Sequence, residues 1–271
     1  MFNKQKNNAS LLLATVASLI VFSSEQRAFA AGPIRQSLPI VAGTKLTYSG
    51  HRDCTAGLVL RWTGTLSNLT PYQRAVRYVL TAGHCGGVNT EVKVADISVG
   101  KVIWKSGKHD LALIRVEPSA TRHAVCSAPS TGMSCSIAVD YTPRAVNQII
   151  LPSLRTRSEG LVRVTGTGAP STNEVFCTSG AVTGVICTWG KEHVTGWAHP
   201  IENDTFRYAE TYGSNIVQGD SGGPVASTSG KVYGIIAEFG RPETHSATSM
   251  RYHSLDQFFS EQHGYALAPT N

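Results

Sequence analysis

Short apolar or alternating runs recur along the chain, separated by Gly, Pro, Ser and Asn. They include Ala56–Trp62, Arg77–Leu80, Glu91–Val99, Val102–Trp104, Leu111–Val116, Leu161–Val164, Val182–Thr188, Val225–Ala226 and Val232–Phe239. Each has the length of a strand, and none leads into a sustained helical period. This pattern excludes an alternating β-α sheet and predicts an all-β chain, folded as a sandwich or as barrels. One helix is predicted near the end. There Ser254 and Gln257 form a capping box, Leu255, Phe258 and Phe259 share a face, and Gly264 stops the helix. The stretch from Pro118 to Arg157, rich in Ser, Thr and Pro, carries no clear period and is taken as a long connection between two halves.

The first thirty residues depart from this pattern. Lys4 and Lys6 precede an apolar run from Leu11 to Phe22, and Ala28-Phe29-Ala30 supplies the small-x-small pattern of a signal-peptidase site. A membrane anchor is the competing reading. Twelve residues at ~1.5 Å each do not cross a ~30 Å hydrocarbon core, so the run predicts export. Lys4, Lys6 and Arg27 against Glu25 account for +2 of the formal +6, leaving +4 after cleavage. That charge is mild and scattered, and it predicts neither a nucleic-acid partner nor a membrane partner for the exported chain.

All six cysteines, Cys54, Cys85, Cys126, Cys135, Cys177 and Cys187, lie beyond the leader. An even count in an exported chain predicts three disulfides, while the count alone leaves their pairing open. Neither a CxxC pair nor an HExxH motif is present, so no metal or other cofactor is expected.

Four segments carry chemistry: Cys54-Thr-Ala-Gly-Leu-Val59, Leu80-Thr-Ala-Gly-His-Cys85, Asp110-Leu-Ala-Leu-Ile-Arg-Val116 and Gly219-Asp-Ser-Gly-Gly-Pro-Val225. A serine hydroxyl is a weak nucleophile that needs a neighbouring base and stabilisation of the oxyanion it creates. Glycines on both sides of Ser221 allow a tight turn and leave the amides of Gly219 and Ser221 free to meet a carbonyl oxygen. Asp110 opens an apolar run that buries it, where an unpaired carboxylate is costly and a histidine is a suitable partner. Gly219–Gly223 also satisfies G-x-S-x-G, the nucleophile elbow of α/β-hydrolases. That fold places its acid and histidine after the serine. Here His84 and Asp110 both precede Ser221, and no βα alternation surrounds the tail residues His245, His253, Asp256 and His263. His109 is the obvious rival to His84, but it neighbours Asp110 and should face the opposite way.

Together the four segments resemble the chymotrypsin family and span both halves of the chain. The resemblance implies two packed antiparallel six-stranded β-barrels with a short C-terminal helix, and a triad of His84, Asp110 and Ser221. It also implies an oxyanion hole at Gly219 and Ser221, a structural role for Asp220, and a bridge from Cys54 to Cys85 beside the histidine. Cys177-Thr-Ser-Gly-Ala-Val-Thr-Gly-Val-Ile-Cys187 is similar to the disulfide hairpin of bacterial secreted members such as streptogrisins and α-lytic protease. Cys126 and Cys135 are then left as a loop staple. The implied layout is an export signal at 1–30 and a short pro-segment or arm at 31–39. A first barrel at 40–117 follows, then a connection with a disulfide loop at 118–157, a second barrel at 158–253, and a helix and tail at 254–271. The function implied is a secreted, monomeric serine endopeptidase acting on polypeptides; a catalytically silent binding protein and an esterase-type hydrolase are the alternatives.

The chain departs from its relatives at four points. Streptogrisin-type enzymes place an arginine after the first hairpin cysteine to neutralise the aspartate before the serine. Here that position is Thr178, so Asp220 is expected to find a distant arginine or the amino terminus. Only nine residues separate Ala30 from Ile40, in place of a long pro-segment; Ile40-Val-Ala-Gly43 resembles a mature start, yet Pro39 precedes it. The interval from Asp110 to Cys177 is long, and its Cys126–Cys135 loop is expected to border the cleft. Finally, Asn215 stands where trypsin-like members carry an aspartate, and Ala237, Glu238 and Phe239 fall on the strand expected to line the substrate.

Overall fold

In the computed structural model the described residues are 32–50, 52–127, 132–153, 158–191, 205–240 and 247–270. The expected export signal lies outside them. Among the described residues no helix is long and apolar enough to cross a membrane. The described residues are mostly β, and each apolar run read from the sequence overlaps a strand.

The first half is an eight-stranded sheet. In spatial order its strands are Tyr265–Leu267, Leu58–Trp62, Arg77–Ala82, Leu111–Val116, Ile97–Lys105, Glu91–Val94, Lys45–Tyr48 and Arg52–Thr55. It is the curled counterpart of the first expected barrel, with the C-terminal strand added to it. The sheet curls, and Ala56-Gly57 carries the chain from the strand at one end, Arg52–Thr55, directly into Leu58–Trp62 near the other. The C-terminal strand Tyr265–Leu267 pairs with Leu58–Trp62 and occupies the remaining edge.

The second half closes fully. Phe176–Gly180, Gly184–Lys191, Arg207–Thr211, Ser249–Ser254, Lys231–Phe239 and Pro224–Ala226 pair in a ring that returns to Phe176–Gly180. The helix Leu255–Glu261 follows directly, and the Gln257 side-chain oxygen accepts from the Ser254 amide at 3.1 Å, as the capping pattern predicts.

The period of two along the strands explains why the runs are apolar throughout. Val59, Val79, Ala112 and Ile114 point into the core of the first half. Their neighbours Leu58, Leu80, Leu111 and Leu113 point the other way, into a core shared with Cys177, Val232, Ile235 and Phe258 of the second half. A strand buried on both faces loses the polar alternation of a half-exposed one. The second half has its own core of Phe176, Trp189, Tyr233, Ile236, Met250 and Tyr252.

The connection is built of strands. Ser119–Ser127 pairs with Ser134–Thr142, and Ala145–Pro152 pairs with Glu159–Arg163 and, in parallel, with Ile40–Ala42. The first hairpin is exposed nearly throughout, so no buried face marked it in the sequence. It packs instead beside the first half, where Tyr141 meets Tyr72 edge-on at 5.3 Å. The disulfides are Cys54–Cys85, Cys126–Cys135 and Cys177–Cys187.

Candidate active site

His84 sits in a short turn at the end of strand Arg77–Ala82, and the adjoining Cys85 is tied to Cys54. Asp110 immediately precedes strand Leu111–Val116, which pairs with Arg77–Ala82 along its whole length. That pairing delivers the two side chains to each other. The His84 ring donates through Nδ1 to Asp110 Oδ2 at 2.6 Å, and the His84 amide donates to Asp110 Oδ1 at 2.6 Å. Burial alone pushes the Asp110 carboxyl up. The hydrogen bonds from the His84 ring and amide outweigh that, and hold it below its ordinary value.

Ser221 lies in the turn before strand Pro224–Ala226, and the first half braces this turn. The Thr55 amide donates to the Ser221 carbonyl at 2.8 Å, and Thr55 Oγ1 donates to the Gly219 carbonyl at 2.8 Å. Gly219 and Gly222 both have positive φ, at 102° and 87°. A Cβ at Gly222 would lie 2.1 Å from Thr81 Oγ1 and 2.5 Å from the Thr55 carbonyl, so the close approach of the two halves here admits only glycine. Among the described residues, neither the Gly219 nor the Ser221 amide donates to an acceptor.

Asp220 is fully buried. Among the described residues no arginine pairs with it, although a distant arginine or the amino terminus was expected. Oδ1 accepts from the amides of Val182 and Thr183 at 2.9 and 3.1 Å, and Oδ2 accepts from the Val217 amide at 2.9 Å. Three backbone donors satisfy a buried carboxylate without a counter-charge. Thr178, at the position of the missing arginine, accepts instead from the buried Trp189 indole at 3.0 Å.

His84, Asp110 and Ser221 line one cavity of about 360 Å³ together with Phe206, Gln218, Ala237, Glu238 and Phe239. Three of the four expected substrate residues therefore face the same space as His84, Asp110 and Ser221. Asn215 does not line it. Its Nδ2 donates to the carbonyls of Ala247 and Ser249 at 2.7 and 3.3 Å, and its Oδ1 accepts from the Ile216 amide at 2.8 Å. Glu238 is paired with Arg251, whose Nε lies 2.6 Å from Glu238 Oε2 and whose guanidinium covers the Phe206 ring at 4.4 Å. No described residue of the Cys126–Cys135 hairpin lines this cavity, whereas the loop was expected to border it.

His109 turns away from the cavity, as its place beside Asp110 implied. Its Nδ1 meets Thr205 Oγ1 at 2.9 Å and its Nε2 lies 3.5 Å from Glu261. His253 is the residue that sequence reasoning missed. It is buried; its Nε2 accepts from the Asp110 amide at 2.9 Å, and its Nδ1 donates to Gln257 Oε1 at 3.0 Å. Its place just before the capping box was the one local signal available.

The trypsin family model matches residues 49–258. No curated protein sequence matches the chain. Among solved structures it is similar to Thermobifida fusca protease A, with a TM-score of 0.56, 20% identity, and coverage of 86% of this chain and 99% of that one. It is similar to the Nocardiopsis protease at a TM-score of 0.56, with 18% identity and coverage of 84% and 98%. It is also similar to the chymotrypsin of Cellulomonas bogoriensis at a TM-score of 0.55, with 18% identity and coverage of 86% and 99%. At these identities the likeness establishes the fold, and the family match spans most of the chain. The chain belongs to the trypsin family.

Proposed function

We propose that this protein is a secreted serine endopeptidase that hydrolyses polypeptides through an acyl-enzyme, with Ser221 as nucleophile, His84 as base and Asp110 as orienting acid. Asp110 holds the His84 ring through Nδ1, and Nε2 takes the Ser221 proton and later returns it to the leaving amine. The amides of Gly219 and Ser221, with no other acceptor among the described residues, stabilise the tetrahedral oxyanion. The substrate chain lies along Ala237, Glu238 and Phe239. Secretion is supported by the leader pattern and by three disulfides, which persist in oxidising compartments.

The observation that carries this reading is the pairing of His84 with Asp110 in the same cavity as Ser221. The test is labelling by a fluorophosphonate. The oxidised, folded protein should label at Ser221, and both Ser221→Ala and His84→Ala should abolish the signal. A folded wild type that does not label would refute the assignment.

A further inference from the structure

The segment before Ile40 resembles a pro-segment only by position. Arg35, in the short turn Pro33–Gln36, is 1% exposed. Its guanidinium donates through Nε and Nη2 to the two oxygens of Glu159, at 3.0 and 2.5 Å. Through Nη1 it donates to the Gly43 carbonyl at 2.9 Å and to Ser179 Oγ at 3.1 Å. A buried charge is costly unless paired and hydrogen-bonded, and this one is both. The segment is thereby riveted to three separate parts of the chain.

Those parts converge on the turn that carries Ser221. Glu159 Oε1 also accepts from the Val185 amide at 2.9 Å, in the hairpin whose turn includes Val182 and Thr183. The amides of Val182 and Thr183 are the donors that hold Asp220 Oδ1. Arg35 thus orients Glu159 and Ser179, these fix the hairpin, and the hairpin fixes Asp220 between Gly219 and Ser221. A cut at Ile40 fits poorly with this arrangement. Ile40 is fully buried in a strand, its amide donates to the Arg144 carbonyl at 2.8 Å, and a new ammonium there would be a buried charge. Asp220, the carboxylate such a charge would need, already accepts three amides.

We propose that residues 32–39 are a permanent part of the working enzyme, that Arg35 is a positioning residue for the Gly219–Ser221 turn, and that no cut at Ile40 accompanies activation. This rests on the serine-peptidase reading above. It places regulation, if there is any, elsewhere than in release of this segment.

The test uses the full precursor, exported and purified as folded protein. Amino-terminal sequencing is carried out on all of that protein, and separately on the fraction captured by a biotinylated fluorophosphonate. Both should begin upstream of Pro33; labelled protein beginning at Ile40 overturns the proposal. Arg35→Lys, which keeps the charge but loses the planar fork, should leave KM within about twofold. It should lower kcat about tenfold, because the oxyanion donors shift while the cleft does not. An unchanged kcat overturns the positioning role, as does a loss of activity that only tracks a loss of folded protein. A wild type that folds but does not label refutes the peptidase reading instead. In that case the amino terminus of the folded protein, and a melting temperature lowered by Arg35→Lys, still decide whether the segment is retained.

Discussion

Replacing His253 with alanine tests how the acid of the site is held. His253 is buried between the Phe206 ring, at 4.3 Å, and the His109 ring, at 5.3 Å. It joins the Asp110 amide to the Gln257 side chain by two hydrogen bonds. Truncation leaves the amide without its acceptor and opens a gap the size of an imidazole. Unsatisfied buried groups cost about 1–3 kcal/mol each, and the gap adds to this, for a total of about 3 kcal/mol. In a chain of this size that lowers the melting temperature by about 6–12 °C. The effect on catalysis is separate. Asp110 should rotate away from His84 Nδ1, so kcat should fall about tenfold while KM stays within about twofold, because His253 does not line the substrate cavity. Steady-state kinetics on a peptide ester, corrected for the folded fraction, measure the split. A destabilised variant with wild-type kcat would show that His253 only packs. A raised KM with unchanged kcat would place its influence on the cleft and refute the mechanism.

Asp110→Asn has a pH signature. The Asp110 carboxyl is held below its ordinary value, so its stabilising contribution is full above the unfolded value, near pH 4, and is lost as pH falls through the folded value. The stability difference between wild type and Asp110→Asn, from denaturant titrations, should be flat above about pH 5 and shrink below about pH 4. Thr178→Val keeps the side-chain shape but leaves the Trp189 indole N–H buried without its acceptor; it should cost about 1–3 kcal/mol in urea unfolding while kcat of the folded fraction is unchanged. Glu238→Gln removes the carboxylate that neutralises Arg251 at the cleft wall. Peptide-library cleavage read by mass spectrometry should then shift toward acidic side chains by about threefold to tenfold at low salt, with the shift shrinking at high salt.

Legibility in the sequence followed the range of the constraint. His84, Asp110 and Ser221 stood out because each sits in a segment whose neighbours are dictated locally. Cys85 must reach Cys54, Gly219 and Gly222 must adopt positive φ, and Leu111–Val116 must bury both faces. The exposed hairpin Ser119–Ser127 and Ser134–Thr142 left no such trace, because a strand with no buried side has no period to read. The residues that support the site were harder still. Arg35 reaches Glu159 across 124 positions and Ser179 across 144, and His253 reaches Asp110 across 143. Nothing local requires an arginine at 35 or a histidine at 253; only the folded neighbourhood does. Thr178 makes the distinction sharp. The lost arginine was visible as a departure, and the expected remedy was another charge for Asp220. The fold instead satisfies Asp220 with three amides and uses a distant arginine, one step removed, to hold the hairpin that presents two of them. A sequence reading finds the candidate groups whose neighbours are constrained locally. The groups that hold them in place are found only where the chain has already brought remote positions together.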